Sequence, residues 1–184
     1  MSEKLTLANL RRDQLKEIDY ENYTFSNCDL SSSNLSGISF TECIFNDCNL
    51  GLTKLTNTSF KGVQFNDCKL LALPFKDCNE FLMAVSFKNC VLDLSSFQGL
   101  KIKNSRFVDS ILNEVDFTES NLTGSTFANC DLSKAVFNNT TLEKVDFRTS
   151  FNYILDPEHN KVRGAQFSRN DVAGLLTKYD IEIV

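Results

Sequence analysis

Seven cysteines and one histidine are the residues of this chain best suited to metal, redox or acid–base chemistry. Cys28, Cys43, Cys48, Cys68, Cys78, Cys90 and Cys130 would hold a metal or a disulfide if their spacing brought thiols face to face, but no C-x-x-C pair occurs. His159, within Asp156-Pro157-Glu158-His159-Asn160, reads as part of an exposed turn and has no partner in a catalytic arrangement. No nucleophile elbow, phosphate-binding loop or dinucleotide fingerprint is present. The expected catalytic, cofactor-binding and metal-binding residues are therefore none. A column of Asn27, Asp47, Asp67, Asn89, Asp109 and Asn129 recurs at a fixed interval, either as an acidic stripe or as turn formers, and turn formation is the better supported role.

The cysteines gain a simpler meaning from the pattern around them. From Tyr20 every fifth residue is large and apolar, through Phe25, Leu30, Leu35 and Phe40 to Phe75, and after two extra residues the phase resumes at Leu82 and runs to Phe147. A period of five matches neither an α-helix nor a simple strand. The residue two before each centre is usually small or slim, as at Cys28, Ser33, Thr53, Val63 and Ala135, so both point inward from a short extended segment. All seven cysteines fall in such slots and read as small buried hydrophobes. The two remaining positions of each pentapeptide must turn a corner.

Sampling every twentieth residue, with the two-residue shift, gives Phe25, Phe45, Phe65, Phe87, Phe107, Phe127, Phe147 and Phe167 as one core ladder. Leu30, Leu50, Leu70, Leu92, Leu112 and Leu132 form a second column. Like stacks on like at twenty, so one circuit has four sides. The fold class expected is an all-β solenoid, a quadrilateral β-helix of about 7–8 coils, right-handed by the general preference of parallel crossovers. Its length is roughly 36 Å at ~4.8 Å per coil.

Three regions are expected: residues 1–19 as an N-terminal cap, 20–167 as the β-helix, and 168–184 as a helix and tail. In the first, Leu5, Leu10 and Leu15 keep the phase while Glu3 and Asp13 fall in inward slots. Within 149–162, Asn152 and Pro157 fill slots that should be apolar, yet the interval from Phe147 to Phe167 predicts an intact circuit. In the last, Ser168 is placed to cap a short α-helix with Asp171 at its third position, and Val172, Leu175, Leu176 and Tyr179 make one apolar stripe. Ile181, Ile183 and Val184 follow as an extended tail. The insertion near Phe81 is a small bulge at one corner and a minor candidate for a contact point.

The 184 residues carry 19 basic and 24 acidic side chains, net −5, which disfavours direct binding of nucleic acid. No apolar run is long enough to span a membrane, and the first twenty residues lack the apolar core of a signal peptide, so a cytoplasmic protein is expected.

Ala8-Asn9-Leu10, Cys28-Asp29-Leu30, Ser33-Asn34-Leu35, Ser120-Asn121-Leu122 and Cys130-Asp131-Leu132 resemble the A(D/N)LXX pattern of the pentapeptide-repeat family. In its fluoroquinolone-resistance group, the resemblance implies, a C-terminal helical module joins two rods end to end. That assigns a homodimer interface to Val172, Leu175, Leu176, Tyr179, Ile181 and Ile183. Two functions are then open: a non-enzymatic protein-binding scaffold, or a DNA mimic that binds DNA gyrase or topoisomerase IV and confers quinolone resistance. Two joined rods would measure roughly 72 Å, the length of ~20 base pairs. Lys61, Lys69, Lys88, Lys101, Lys103, Lys134 and Lys144 interrupt the acidic faces and weigh against mimicry.

Overall fold

The computed structural model describes residues 5–11, 14–15 and 18–182. Glu3, Asp13, Ile183 and Val184, all used above, lie outside the described residues. The chain forms a quadrilateral β-solenoid of about eight turns whose coils stack in parallel. One side is a nine-stranded sheet built from β1 (Leu5–Ala8), β3 (Tyr23–Ser26), β5 (Ile44–Asn46), β7 (Val63–Asn66), β8 (Val85–Lys88), β9 (Arg106–Val108), β10 (Thr126–Ala128), β11 (Asp146–Phe147) and β12 (Gln166–Phe167), in that order. A second side carries β2 (Asp19–Glu21), β4 (Ser39–Thr41) and β6 (Ser59–Lys61). The other two sides are held by single parallel bridges, such as Asp29 to Asn49 to Lys69 to Val91. Backbone donors on each coil reach carbonyls of the neighbouring coil, so the strands can be short without orphaned polar groups.

Register follows the repeat. Phe25 pairs with Phe45 and Phe45 with Phe65; across the insertion Phe65 pairs with Phe87, and the interval then returns to that of the first coils. Every centre from Tyr20 to Phe147 is buried except Leu82. The rings of the Phe25-to-Phe167 ladder lie 4.5–5.4 Å apart and nearly parallel. A second aromatic column meets it edge to face. In the first coils it is Tyr20, Phe40 and Phe60; beyond them it is Phe75, Phe97, Phe117 and Phe137. The rod changes which side supplies the second ring at the insertion, where Phe60 and Phe75 sit tilted at 6.1 Å. Two aromatic and two aliphatic side chains thus fill most coils, which keeps the cross-section constant and closely packed.

Leu82 departs from the sequence expectation. The bulge lies between Asn79, which still bridges Ser59, and Val85, which pairs with Val63, and within it Met83 turns inward while Leu82 stands out at φ +58°. The first coil differs as well: Leu7, not Leu5, lies under Phe25, because β1 and β3 are in register at an interval of two residues fewer than a full coil. Leu5 is exposed, while Leu7, Leu10 and Leu15 pack against the core. The stretch 149–162 keeps the circuit, with Phe151 bridged to Asp131, Lys161 bridged to Thr141, and Tyr153 and Leu155 buried in place of an apolar Asn152 or Pro157.

The C-terminal α-helix is not formed. Val172–Leu175 and Thr177–Tyr179 are two 3-10 turns, closed by i→i+3 bonds such as Leu176 N–H to the Ala173 carbonyl and Tyr179 N–H to the Leu176 carbonyl. Two features explain the tighter winding. The Gly174 carbonyl is used by the Leu155 N–H of the last coil, and Thr177 Oγ1 donates back to the carbonyls of Ala173 and Gly174. Ser168 Oγ accepts from Asn170 N–H, two residues on, rather than capping a helix, and Asp171 precedes the first turn without a side-chain cap.

Candidate interaction surface

The seven cysteines are all buried, and none of them forms a disulfide. Their slots serve a purpose that side-chain size alone did not reveal. Thr53 Oγ1 donates to the Leu30 carbonyl at 3.0 Å, Thr58 Oγ1 to Leu35 at 2.8 Å, Thr140 Oγ1 to Phe117 at 2.8 Å and Ser150 Oγ to Phe127 at 2.6 Å. Cys48, Cys68 and Cys90 place their thiols on the carbonyls of Phe25, Phe45 and Phe65 in the same way. The slim inward residue therefore donates to the carbonyl of a centre residue one coil back. The hydroxyls of Ser33, Ser105 and Ser120 sit in equivalent slots without that bond. Burial pushes the Cys130 thiol up to about 12 and raises that of Cys78, so both stay protonated and unreactive at neutral pH. Among the described residues, no group of three or more His, Cys, Asp or Glu could hold a metal ion.

The corner column is a set of turn formers. Asn27, Asp47, Asp67, Asn89, Asp109 and Asn129 all have φ near +50°, a region these residue types tolerate. Asn89 Nδ2 donates to Asp67 Oδ1 at 2.6 Å, and Asn129 Nδ2 to Asp109 Oδ1 at 2.9 Å. The amides thereby relieve repulsion between stacked carboxylates.

Other corners break this rule. Leu52, Leu82 and Leu94 also have φ near +60°, and they are 61%, 67% and 56% exposed. An exposed leucine in left-handed backbone costs both strain and hydration, which marks a surface shaped by something other than stability. Replacing Leu94 with Asn is expected to raise stability by roughly 0.5–1 kcal/mol, because Asn enters the left-handed region more readily. A thermal melt of L94N that shifted downward would contradict this account of the corner.

The C-terminal end is fastened by ions. Lys178 Nζ lies 2.8 Å from Asp156 Oδ1 and 2.6 Å from Glu158 Oε2; Tyr179 Oη donates to Glu158 Oε1 at 2.8 Å; His159 Nδ1 is 2.7 Å from Asp156 Oδ2. The Lys178 ammonium, with the Glu158 backbone N–H, holds the Asp156 carboxyl down at about 2. A depressed carboxylate stabilises the folded form above its unfolded value and loses that contribution as the pH falls through the folded one. Protection of residues 172–180 against hydrogen exchange, taken relative to the intrinsic rate at each pH, is therefore expected to fall between roughly pH 4 and pH 2, and Asp156→Asn should abolish the step. Gly174 sits where an added Cβ would fall on the Tyr153 carbonyl, so this docking also requires glycine there.

Of the residues assigned from the sequence to an interface, Val172, Tyr179 and Ile181 are exposed, Leu176 is half-buried, and Leu175 packs against the core. Phe81 is 67% exposed and does not fold back over its coil. The acidic side chains Asp93, Glu114, Asp116, Glu119 and Asp131 occupy two adjoining sides in the middle coils, where Lys134 pairs with Glu114 at 3.2 Å. Among the described residues no helix is long and apolar enough to cross a membrane.

The solved structures similar to this chain include two of trypsin-treated variants of QnrB1, a plasmid-mediated fluoroquinolone resistance protein. Both are 19% identical: one has a TM-score of 0.66 and a match covering 98% of each chain, the other a TM-score of 0.65 and a match covering 99% of this chain and 100% of that one. A pentapeptide-repeat protein from the cyanobacterium Nostoc, HetL, involved in heterocyst differentiation regulation, matches at 15% identity over 90% of this chain and 85% of its own, with a TM-score of 0.39. No curated protein matches the chain. The pattern described as a pentapeptide repeat region matches residues 5–80 and 81–151, within the stretch over which the coils stack in parallel register. By repeat, register and pattern together, the chain belongs to the pentapeptide-repeat family.

Proposed function

We propose that the protein is a non-enzymatic scaffold that binds another protein along the outside of the rod. The observation that carries this reading is the set of leucines, Leu52, Leu82 and Leu94, held exposed in left-handed corners: the corner of Leu52 and Leu94 carries Ser32, Ala72, Glu114 and Lys134 in other coils, and that of Leu82 carries Asn22, Glu42, Gly62, Asn104 and Gly124. A partner that covers them recovers the hydration cost the free rod bears. The test is affinity capture from lysate with the wild type and with the triple variant L52N, L82N and L94N. A partner held by the wild type and released by the equally folded variant supports the scaffold. Equal capture by both, or capture by neither, overturns it.

A second reading, a DNA mimic that binds DNA gyrase or topoisomerase IV, draws support from the acidic side chains Asp93, Glu114, Asp116, Glu119 and Asp131 grouped on adjoining sides. The fold likeness to QnrB1 is compatible with it. A gyrase supercoiling assay with and without fluoroquinolone decides: inhibition or protection at micromolar protein supports mimicry, and neither effect removes it. Both readings are served by an end-to-end homodimer through Val172, Tyr179 and Ile181, with the protein in the cytoplasm. Light scattering should then report twice the chain mass, reverting to one chain on Ile181→Asp.

A further inference from the structure

The side of the rod that begins at the insertion combines two features the repeat does not need. Phe81 and Leu82 are each 67% exposed, and Leu82 stands at a corner that elsewhere carries Asn22, Glu42, Gly62, Asn104 and Gly124. One coil on, the charge becomes positive. Lys101 bridges in register through Asn121 and Thr141 to Lys161, and Lys103, Lys144 and Arg163 flank that line, all five cations exposed. Glu80 joins the two features by pairing with Lys101 at 3.8 Å; beyond it Glu143 stands at the same corner as Lys103, Lys144 and Arg163, and at the opposite corner stand Glu119 and Glu158, the latter paired with Lys178. A chain of net −5 has thus gathered a cationic strip next to an apolar projection.

We infer that this side is a docking surface for an extended acidic polypeptide segment that carries one apolar anchor residue at the end nearest Phe81. The inference rests on the scaffold reading and adds the chemistry of the partner. Stacked coils are ~4.8 Å apart, so Lys101 and Lys161, three coils apart, stand ~14 Å from each other, with uncharged hydrogen-bonding side chains between them. An extended peptide presents alternate side chains on one face every ~6.7 Å, so carboxylates on that face can span this strip. The exposed aromatic and leucine at its end are the residue types that bury an anchor.

Nucleic acid fits less well. Beyond Phe81 the strip offers no aromatic rings for stacking single-stranded bases, and the net negative charge of the whole chain opposes a duplex. Charge complementarity over the strip should set the rate and salt dependence of encounter, while the anchor should set how long the segment stays.

Fluorescence anisotropy with a labelled peptide of ~12 residues, alternating Glu and Ser and ending in Leu-Phe, tests this directly. Binding at low salt is expected to weaken as salt rises, and the double variant K103E and K144E should lose at least tenfold in affinity. Leu82→Asn, which relaxes the backbone, should weaken binding severalfold for this peptide and leave a peptide lacking Leu-Phe unaffected. Thermal melts of both variants keep loss of fold separate from loss of the site. The inference fails if no binding is seen at low salt, if Leu82→Asn changes both peptides alike, or if a short DNA duplex binds more tightly than the peptide. If lysate capture depends on Leu52 and Leu94 but K103E and K144E leave it intact, the scaffold reading stands and this surface is wrong.

Discussion

A Phe107→Ala variant is expected to lose about 3–5 kcal/mol of unfolding free energy, a substantial part of the ~5–15 kcal/mol by which a folded domain is stable. Phe107 is fully buried, stacked against Phe127 at 4.6 Å and Phe87 at 5.0 Å, with the edges of Phe97 and Phe117 at 6.0 Å. Truncation removes the ring from the centre of the rod and leaves a hole that its neighbours cannot close, because their backbones are fixed in register with one another. Each coil touches only the coils beside it, so a weak middle coil also uncouples the two halves. Denaturation followed by circular dichroism should show an earlier and broader transition. Phe81→Ala, at the exposed bulge, is the control and should stay within about 0.5 kcal/mol of the wild type. A loss at Phe107 no larger than at Phe81 would mean that the ladder is not what holds the coils together.

This contrast shows why so much of the fold could be read from sequence. The inward centre must be large and apolar in every coil, and coil-to-coil pairing makes like residues recur at a fixed interval, so position and type carry the same message. Where the interval changes, that message weakens. Around the bulge, counting by fives selects Leu82, but two extra residues can be absorbed at any corner, and the backbone spends them so that Met83 faces inward. The same ambiguity selects Leu5 over Leu7 at the first coil.

At the C-terminus, Val172, Leu175, Leu176 and Tyr179 fit the spacing of an amphipathic α-helix, yet a 3-10 turn shares the i, i+3 positions. What separates the two is the bond from Leu155 to Gly174, a tertiary contact that local spacing does not encode. The slim slots were legible only in part. Cys, Ser and Thr announce small size, but their bond to a carbonyl one coil back is visible only when the coils are stacked. The candidate surface was least legible, because an exposed leucine looks like a misplaced core residue until its φ is known.

Asn160 turns that slot rule into a second large expected effect. It is buried where the repeat places a slim residue, in the coil whose centres are Asn152 and Pro157 rather than apolar side chains. Its Nδ2 donates to the Phe137 carbonyl at 3.0 Å, as Thr140 Oγ1 does to Phe117, and to the Asp156 carbonyl at 2.9 Å, while Oδ1 accepts from Thr140 N–H at 2.8 Å. Asn160→Ala removes all three bonds, and Thr140 is fully buried, so water cannot replace them there. The Asp156 carbonyl still accepts from His159 N–H, so Thr140 N–H and the Phe137 carbonyl are the two groups left unpaired, and at ~1–3 kcal/mol each the expected loss is about 2–6 kcal/mol. The turn that holds Asp156 against Lys178 loosens with it, so hydrogen exchange should rise in residues 172–180 as well as in the last coil. Asn160→Ser should recover more than half of the loss, since Ser125 in an equivalent slot both accepts from Ser105 N–H and donates to the Ile102 carbonyl. Ala and Ser variants of equal stability would show that the slot requires only a small side chain, and the carbonyl bonds would then be incidental to the fold.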